Sequence, residues 1–236
     1  RMIGMVMEAY NTERISRDQT DGIDLTWGNY EGVIQLTERV LAREGIGAIL
    51  SKGLREAARE LDIEDLAVHI KGVGFNTHDQ RAFGLGWLFG SVMSGIGPSW
   101  QGVGFEMGAE PDLGFEELQD RSDPVDKGRQ SFLSQMKKMW EDCTGCCWFA
   151  TWQLPGSLQF APQAVSEATG WQYDRERALL LGERIINLQR LLSLYLGYRA
   201  ESDLDLGARV LEAPLSGPAE GRALGPHLRS IREEYY

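Results

Sequence analysis

IGAILSKGLREAAREL, residues 46–61, sets the class of fold. Ile46, Ile49, Leu50, Gly53, Leu54, Ala57, Ala58 and Leu61 recur at i, i+3, i+4 and i+7, which gathers them on one face of a helix. Gly53 and Ala57 give that face a small-residue patch suited to a close crossing by another element. The same period runs outward on both sides. Towards the N-terminus, Val33, Ile34, Thr37, Val40 and Leu41 predict a helix over 31–44, broken by Gly45 and Gly47. Residues 15–32 are polar and rich in Gly and Asp, ending in a Trp27-Gly28-Asn29 turn. Residues 2–10 (MIGMVMEAY) are apolar and uncapped. They read as the continuation of a helix begun upstream, so the chain is expected to be a piece of a longer protein.

Towards the C-terminus, residues 66–70 (LAVHI) predict a short strand. A helix over 129–141 carries Phe132, Met136, Met139 and Trp140 on one side and runs into a cysteine cluster. A short helix over 162–169 has Pro162 in its first turn and Gly170 at its stop. Asp174 caps a long helix reaching residue 196, with Ile185, Leu188, Leu192 and Tyr195 as a core-facing stripe. Residues 201–226 read as loop and 227–236 as helix. The predicted class is mainly α. Two packed helical domains are expected, 1–117 and 118–236, divided in the acidic stretch that holds Pro111 and Pro124.

With 236 residues the chain is long enough to bury a core, and 42% hydrophobic and 25% charged residues are ordinary for a globular protein. A net charge of −11 repels phosphate backbones and argues against nucleic acid as a partner. Residues 82–105 carry no charge, but seven glycines and Pro98 interrupt them. A spanning helix needs about 20 mostly apolar residues. This stretch therefore reads as a buried, partly irregular segment inside a protein, and no membrane role is expected. All three cysteines lie within Cys143–Cys147, an odd and clustered set unlike a secreted disulfide framework. The expected location is cytoplasmic.

Three places carry candidate chemistry. The strongest is Asp142-Cys143-Thr144-Gly145-Cys146-Cys147. Thiolates bind soft metals and iron–sulfur clusters, a glycine lets backbone approach a bulky ligand, and an aspartate accepts hydrogen bonds from a polar heterocycle. Buried cysteines also serve simply as small hydrophobes, and three cysteines without a histidine do not complete a zinc site. The second is Lys71-Gly72 with His78-Asp79-Gln80-Arg81. A histidine exchanges a proton near neutral pH, whereas the plainer reading is a hydrogen bond that holds a loop. His69 and His227 read as structural or surface residues. The third is Gly182–Arg190, where Glu183 and Asn187 share a helix face; polar contacts to neighbouring segments are the preferred reading. No phosphate-binding loop, GxSxG elbow or HExxH is present.

The order of these features resembles the C-terminal region of the aldehyde ferredoxin oxidoreductases. The resembling segments are Met7–Tyr10, Gly22–Asn29, Ala42–Gly47, Lys52-Gly53, Val68–Gly72, Asp79–Arg81, Asp142–Phe149 and Gly182–Arg190. The resemblance implies a tungsten (or molybdenum) ion held by two pyranopterins beside a 4Fe–4S cluster. It implies that residues 1–117 match the family's middle domain and 118–236 its C-terminal domain. The family's Asp-x-x-Gly-Leu-Cys matches Asp142, Gly145, Cys146 and Cys147. By that match Cys147 is the fourth cluster ligand, and Asp142, Thr144, Gly145 and Cys146 bind a pterin. Cys146 in place of Leu fits if that position acts through its N–H. Cys143 receives no role.

The other three cluster cysteines would come from an N-terminal pterin-binding domain, and a companion Asp-x-x-Gly motif is expected just before residue 1. The implied partners are that domain, a ferredoxin or electron-transfer subunit, a small-molecule substrate and, as one arrangement, further copies of the chain. The implied activity is oxidation of an aldehyde to an acid.

The substrate region departs from the aldehyde enzymes. Gly74 stands where many have Glu, His78 replaces Tyr, Gln80 replaces Pro, and Ile96 and Trp100 replace polar residues. His78-Asp79-Gln80-Arg81 is more similar to the catalytic subunits of tungsten benzoyl-CoA reductases, which makes His78 a candidate catalytic proton donor to an aromatic acyl-CoA. A non-catalytic helical scaffold and a zinc module on the three cysteines are the alternatives from other classes.

Overall fold

The computed structural model describes residues 1–75, 78–95, 97–98, 109–151 and 156–236. Its helices are α1 (Met2–Asn11), α2 (Tyr30–Ala42), α3 (Ile46–Leu50), α4 (Leu54–Glu60), α5 (Leu85–Met93) and α6 (Lys127–Cys143), followed by α7 (Trp148–Thr151), α8 (Ser157–Thr169), α9 (Arg175–Tyr195), α10 (Ala208–Leu211) and α11 (Leu228–Tyr235). The strands β1 (His69–Ile70) and β2 (Val73–Gly74) pair antiparallel, with His69 opposite Gly74. The mainly helical class read from the sequence is what the chain adopts. It forms two compact units, residues 1–78 with 204–212 and residues 79–203 with 213–236.

In the first unit, α1 buries Met5, Val6, Met7 and Ala9 against Leu25, Leu36, Ile46, Leu50, Ala57, Ala58 and Ile63. Asn29 caps α2 by accepting from the Gly32 N–H at 3.2 Å. The continuous helix expected over 46–61 is two helices. Gly53 sits at φ +100°, a conformation no helix interior allows, and it starts α4 instead of packing against a neighbour. Both halves still bury their periodic apolar residues, which is why the pattern looked unbroken. The LAVHI strand is present in shortened form as β1. Gly72 (φ +79°) and Lys71 (φ +57°) make the turn to β2, and the Gly72 N–H donates to His69 Nδ1 at 3.3 Å. Residues 204–212, expected as loop, return to this unit in part as a helix. Arg209 on α10 makes two bonds to the Glu8 carboxylate, 2.8 and 2.6 Å, and Arg55 pairs with Asp205.

In the second unit, α6 packs on α5, α9 and α11. Every residue of α5 is buried, as the uncharged stretch predicts; residues 96 and 99–105 of that stretch lie outside the described residues. α6 approaches α5 with polar side chains. Ser131 Oγ donates to the Gly86 carbonyl at 2.8 Å and Gln135 Nε2 to the Gly90 carbonyl at 2.9 Å. Tyr235 of α11 donates from its hydroxyl to Gln135 Oε1 at 2.7 Å.

α9 starts where expected, with the Asp174 carboxylate accepting from the Arg177 N–H at 2.8 Å. Its stripe does not face a core: Leu188, Leu192 and Tyr195 are 67%, 57% and 87% exposed. The helix meets α6 through Ala178 and Gly182, where a Cβ would stand only 1.9 Å from the Met136 carbonyl oxygen. Backbone contact at Gly182 sets the crossing, and of the leucines Leu179 and Leu181 pack partly buried on the cluster of Trp140 and Leu158. α8 begins at Ser157, so Pro162 lies inside it and not in the first turn. Burial of Leu158 and Pro162 holds that helix across the missing N–H. Among the described residues no helix is long and apolar enough to cross a membrane.

Candidate functional site

Asp142 through Cys147 occupy the end of α6 and the turn into α7. Thr144 closes the helix. Its N–H donates to the Glu141 carbonyl at 3.0 Å and its hydroxyl to the same oxygen at 2.7 Å. The Gly145 N–H donates to the Asp142 carbonyl at 3.2 Å, and Gly145 adopts φ +73°. These two N–H groups are used within the helix end. The Cys146 N–H has no acceptor among the described residues. Among the described residues no heavy atom lies within 4 Å of where a Gly145 Cβ would stand.

Cys143, Cys146 and Cys147 are all exposed free thiols, and the packed-hydrophobe reading therefore fails for all three. Asp142 is held by Lys138 from one helical turn earlier; the lysine side chain is buried and the carboxylate partly exposed. The turn thus presents thiols, an oriented carboxylate and an N–H without an acceptor among the described residues. Among the described residues no three His, Cys, Asp or Glu side chains gather into a metal site.

Behind the turn lies a set of charges that the sequence reading missed. Lys137, Lys138 and Glu141 are only 8%, 5% and 3% exposed. Lys137 Nζ stands 3.6 Å from Glu110 Oε2. Burial pushes the Glu110 carboxyl up to about 7; Lys137 opposes the shift, and Glu141 and Asp112 reinforce it. Burial likewise raises Glu141, against Lys137 and against hydrogen bonds from Thr151 and Ser157. Asp112 accepts from the Leu158 N–H at 3.0 Å and from Gln159 Nε2 at 3.1 Å. The available signal was the doublet spacing: Lys137-Lys138 and Glu141-Asp142 are i, i+4 partners on one helix.

The other candidates lie elsewhere. His78 is exposed, at the end of the long segment of the first unit, and its carbonyl accepts from Arg1 at 2.9 Å. The Asp79 carboxylate is engaged by Arg81, at 2.8 Å from Nη2. His69 is buried, and burial lowers its pKa, in keeping with a structural role. Glu183 and Asn187 line a cavity of about 270 Å³ with Met93, Phe132, Met139 and Tyr235.

The whole chain, residues 1–236, matches the family model described as aldehyde ferredoxin oxidoreductase, domains 2 & 3. The chain belongs to the aldehyde ferredoxin oxidoreductase family. It is 28% identical to the tungsten-containing aldehyde ferredoxin oxidoreductase of Pyrococcus furiosus, over 99% of this chain and 38% of that protein. The enzyme of the same name from Thermococcus kodakarensis is 26% identical over the same shares. An aliphatic sulfonate oxidoreductase, WOR-like subunit, from Pyrococcus furiosus is 24% identical over 100% of this chain and 36% of that protein. The chain thus spans little more than a third of the length of these relatives.

Proposed function

We propose that the chain is the helical C-terminal part of a tungsten- (or molybdenum-) pterin, iron–sulfur oxidoreductase that converts an aldehyde to a carboxylic acid. In this reading the division into domains 1–117 and 118–236 follows the family's. The observation that carries it is the Asp142–Cys147 turn: exposed, glycine-opened and thiol-bearing in a chain that matches the family from end to end.

The residues fit one edge of such a site and not the whole of it. Cys147 offers one thiolate, and a cluster of this kind takes about four protein ligands, so the remainder comes from an N-terminal domain. Asp142 and the helix-end carbonyls accept hydrogen bonds, which suits the N–H-rich rim of a pterin, and Cys146 contributes its N–H. Gly145 leaves room, and Thr144 keeps the helix end closed. When bound, the metal would supply the redox chemistry, and the cluster would relay single electrons to ferredoxin or a partner subunit. In the overall reaction the carbonyl carbon gains an oxygen from water while protons and an electron pair leave. The protein's part is position and electrostatics. A cytoplasmic location accords with exposed free thiols.

A second reading within the family is reduction of an aromatic acyl-CoA with His78 as the acid. It is favoured by the exposure of His78 in the sequence His78-Asp79-Gln80-Arg81.

Elemental analysis of the full-length protein, purified without oxygen, tests the proposal. Tungsten or molybdenum with about four irons per chain is expected, and Cys147→Ser should lower the iron content. Zinc alone, or iron unchanged in the Cys147→Ser protein, overturns it. Turnover of an aldehyde or of an aromatic acyl-CoA then separates the two substrates.

A further inference from the structure

Glu110, Lys137 and Glu141 have no part in the reading above, yet two carboxyls and one ammonium lie together with little exposure, the Glu110 side chain 13% and the Lys137 side chain 10% exposed. Lys137 and Glu141 are i, i+4 partners on α6, and the neighbouring pair, Lys138 and Asp142, ends at the turn itself. Glu110 enters from the segment before α6, beside the Pro111–Leu113 turn. Its Oε2 is buried with no hydrogen-bond donor among the described residues, and its ion pair with Lys137 is long, at 3.6 Å. The remaining charges around it are committed. Asp112 accepts two bonds from the start of α8, and its carbonyl accepts from Arg175 Nε at 2.7 Å. Lys138 is bound to Asp142.

One ammonium cannot neutralise two buried carboxylates, and an ionised pair with an unfilled acceptor is expensive to bury. We propose that Glu110, Lys137 and Glu141 form an internal proton-binding site that holds one exchangeable proton, seated mainly on Glu110. The proton leaves Glu110 as H⁺ and the carboxylate stays behind, paired with Lys137. Resting on the oxidoreductase reading, this site would supply a store for a proton released as the aldehyde carbon is oxidised. The proton-binding claim itself does not depend on that reading.

Infrared difference spectra of the full-length protein, recorded from about pH 6 to about pH 8, test the claim directly, because a buried protonated carboxyl has its own C=O band. The band should be present on the acid side, fade with a midpoint near the Glu110 value of about 7, and be missing from Glu110→Gln. Lys137→Met should move the midpoint up by removing the opposing cation. Glu141→Gln should move it down by removing a like charge. A band that survives Glu110→Gln, or a midpoint that neither neighbour moves, overturns the proposal. Metal content is read separately, so failure of the cofactor reading would leave this result unchanged.

Discussion

α6 and α9 cross at Gly182, and each contradicts its own composition. α6 carries lysines, glutamines, serines and a glutamate, and nearly all of them are buried. α9 carries seven leucines and two isoleucines within Arg175–Tyr195, and it buries only Ala178 and Gly182. Polarity therefore does not decide which helix is inside. α6 has neighbours on several sides, and most of its polar groups are matched to them, Ser134 Oγ being without a partner among the described residues. Ser131 and Gln135 meet α5 carbonyls, Gln135 meets Tyr235, and Lys137 and Lys138 meet carboxylates. A buried polar group that is paired costs little, whereas an unpaired one is costly. α9 meets its neighbour through backbone, and a leucine cannot occupy a contact that closes to glycine.

The contrast can be broken in graded steps. Trp140→Ala removes an indole that is 2% exposed from the apolar side of α6 and should cost about 3–5 kcal/mol in denaturant unfolding. Gly182→Ala puts a methyl onto the Met136 carbonyl and should cost about 1–3 kcal/mol, or force α9 away from α6. If that change were neutral, the close crossing would be wrong.

Glu110→Gln sharpens the comparison through pH. A carboxyl raised from 4.5 in the unfolded chain to about 7 in the fold binds its proton more tightly when folded. Stability from this group is full below the lower value, is lost as pH rises through the upper one, and then levels off. The amide variant should be flatter across that window, by on the order of 3 kcal/mol. A wild-type profile that is already flat there would remove the buried charge from the account. The smallest effect is expected for Leu188→Ser or Leu192→Ser. Each should change the stability of this chain by within about 0.5 kcal/mol, because neither side chain is buried in it. A loss of several kcal/mol would mean that the leucine face is covered.

Much of the architecture was legible because local signals and packing agree. The helices α1 and α2, the Asp174 cap and the Gly170 stop are short-range effects, and each is present in the fold; the stripe read for α2 is not, because that helix buries Gly32 and Leu36 while Ile34 and Leu41 are 53% and 80% exposed. The 46–61 pattern was legible as burial but not as one helix. A turn centred on Gly53 preserves the apolar face, so the period cannot reveal it. The candidate turn was legible as residue types, and the fold confirms three exposed thiols together there. The Glu110 pairing was not legible, because Glu110 and Lys137 are far apart in sequence and meet only when the segment before α6 folds back.

By itself, then, the sequence determined the helical class, the family and the position of the cysteine turn. All three depend on neighbours along the chain or on residue types in order. Only the tertiary structure decided which polar residues are inside, which leucines are outside and which carboxyl is held near neutral. Burial and electrostatics are sums over neighbours in space, and at α6 those neighbours come from segments dozens of residues away.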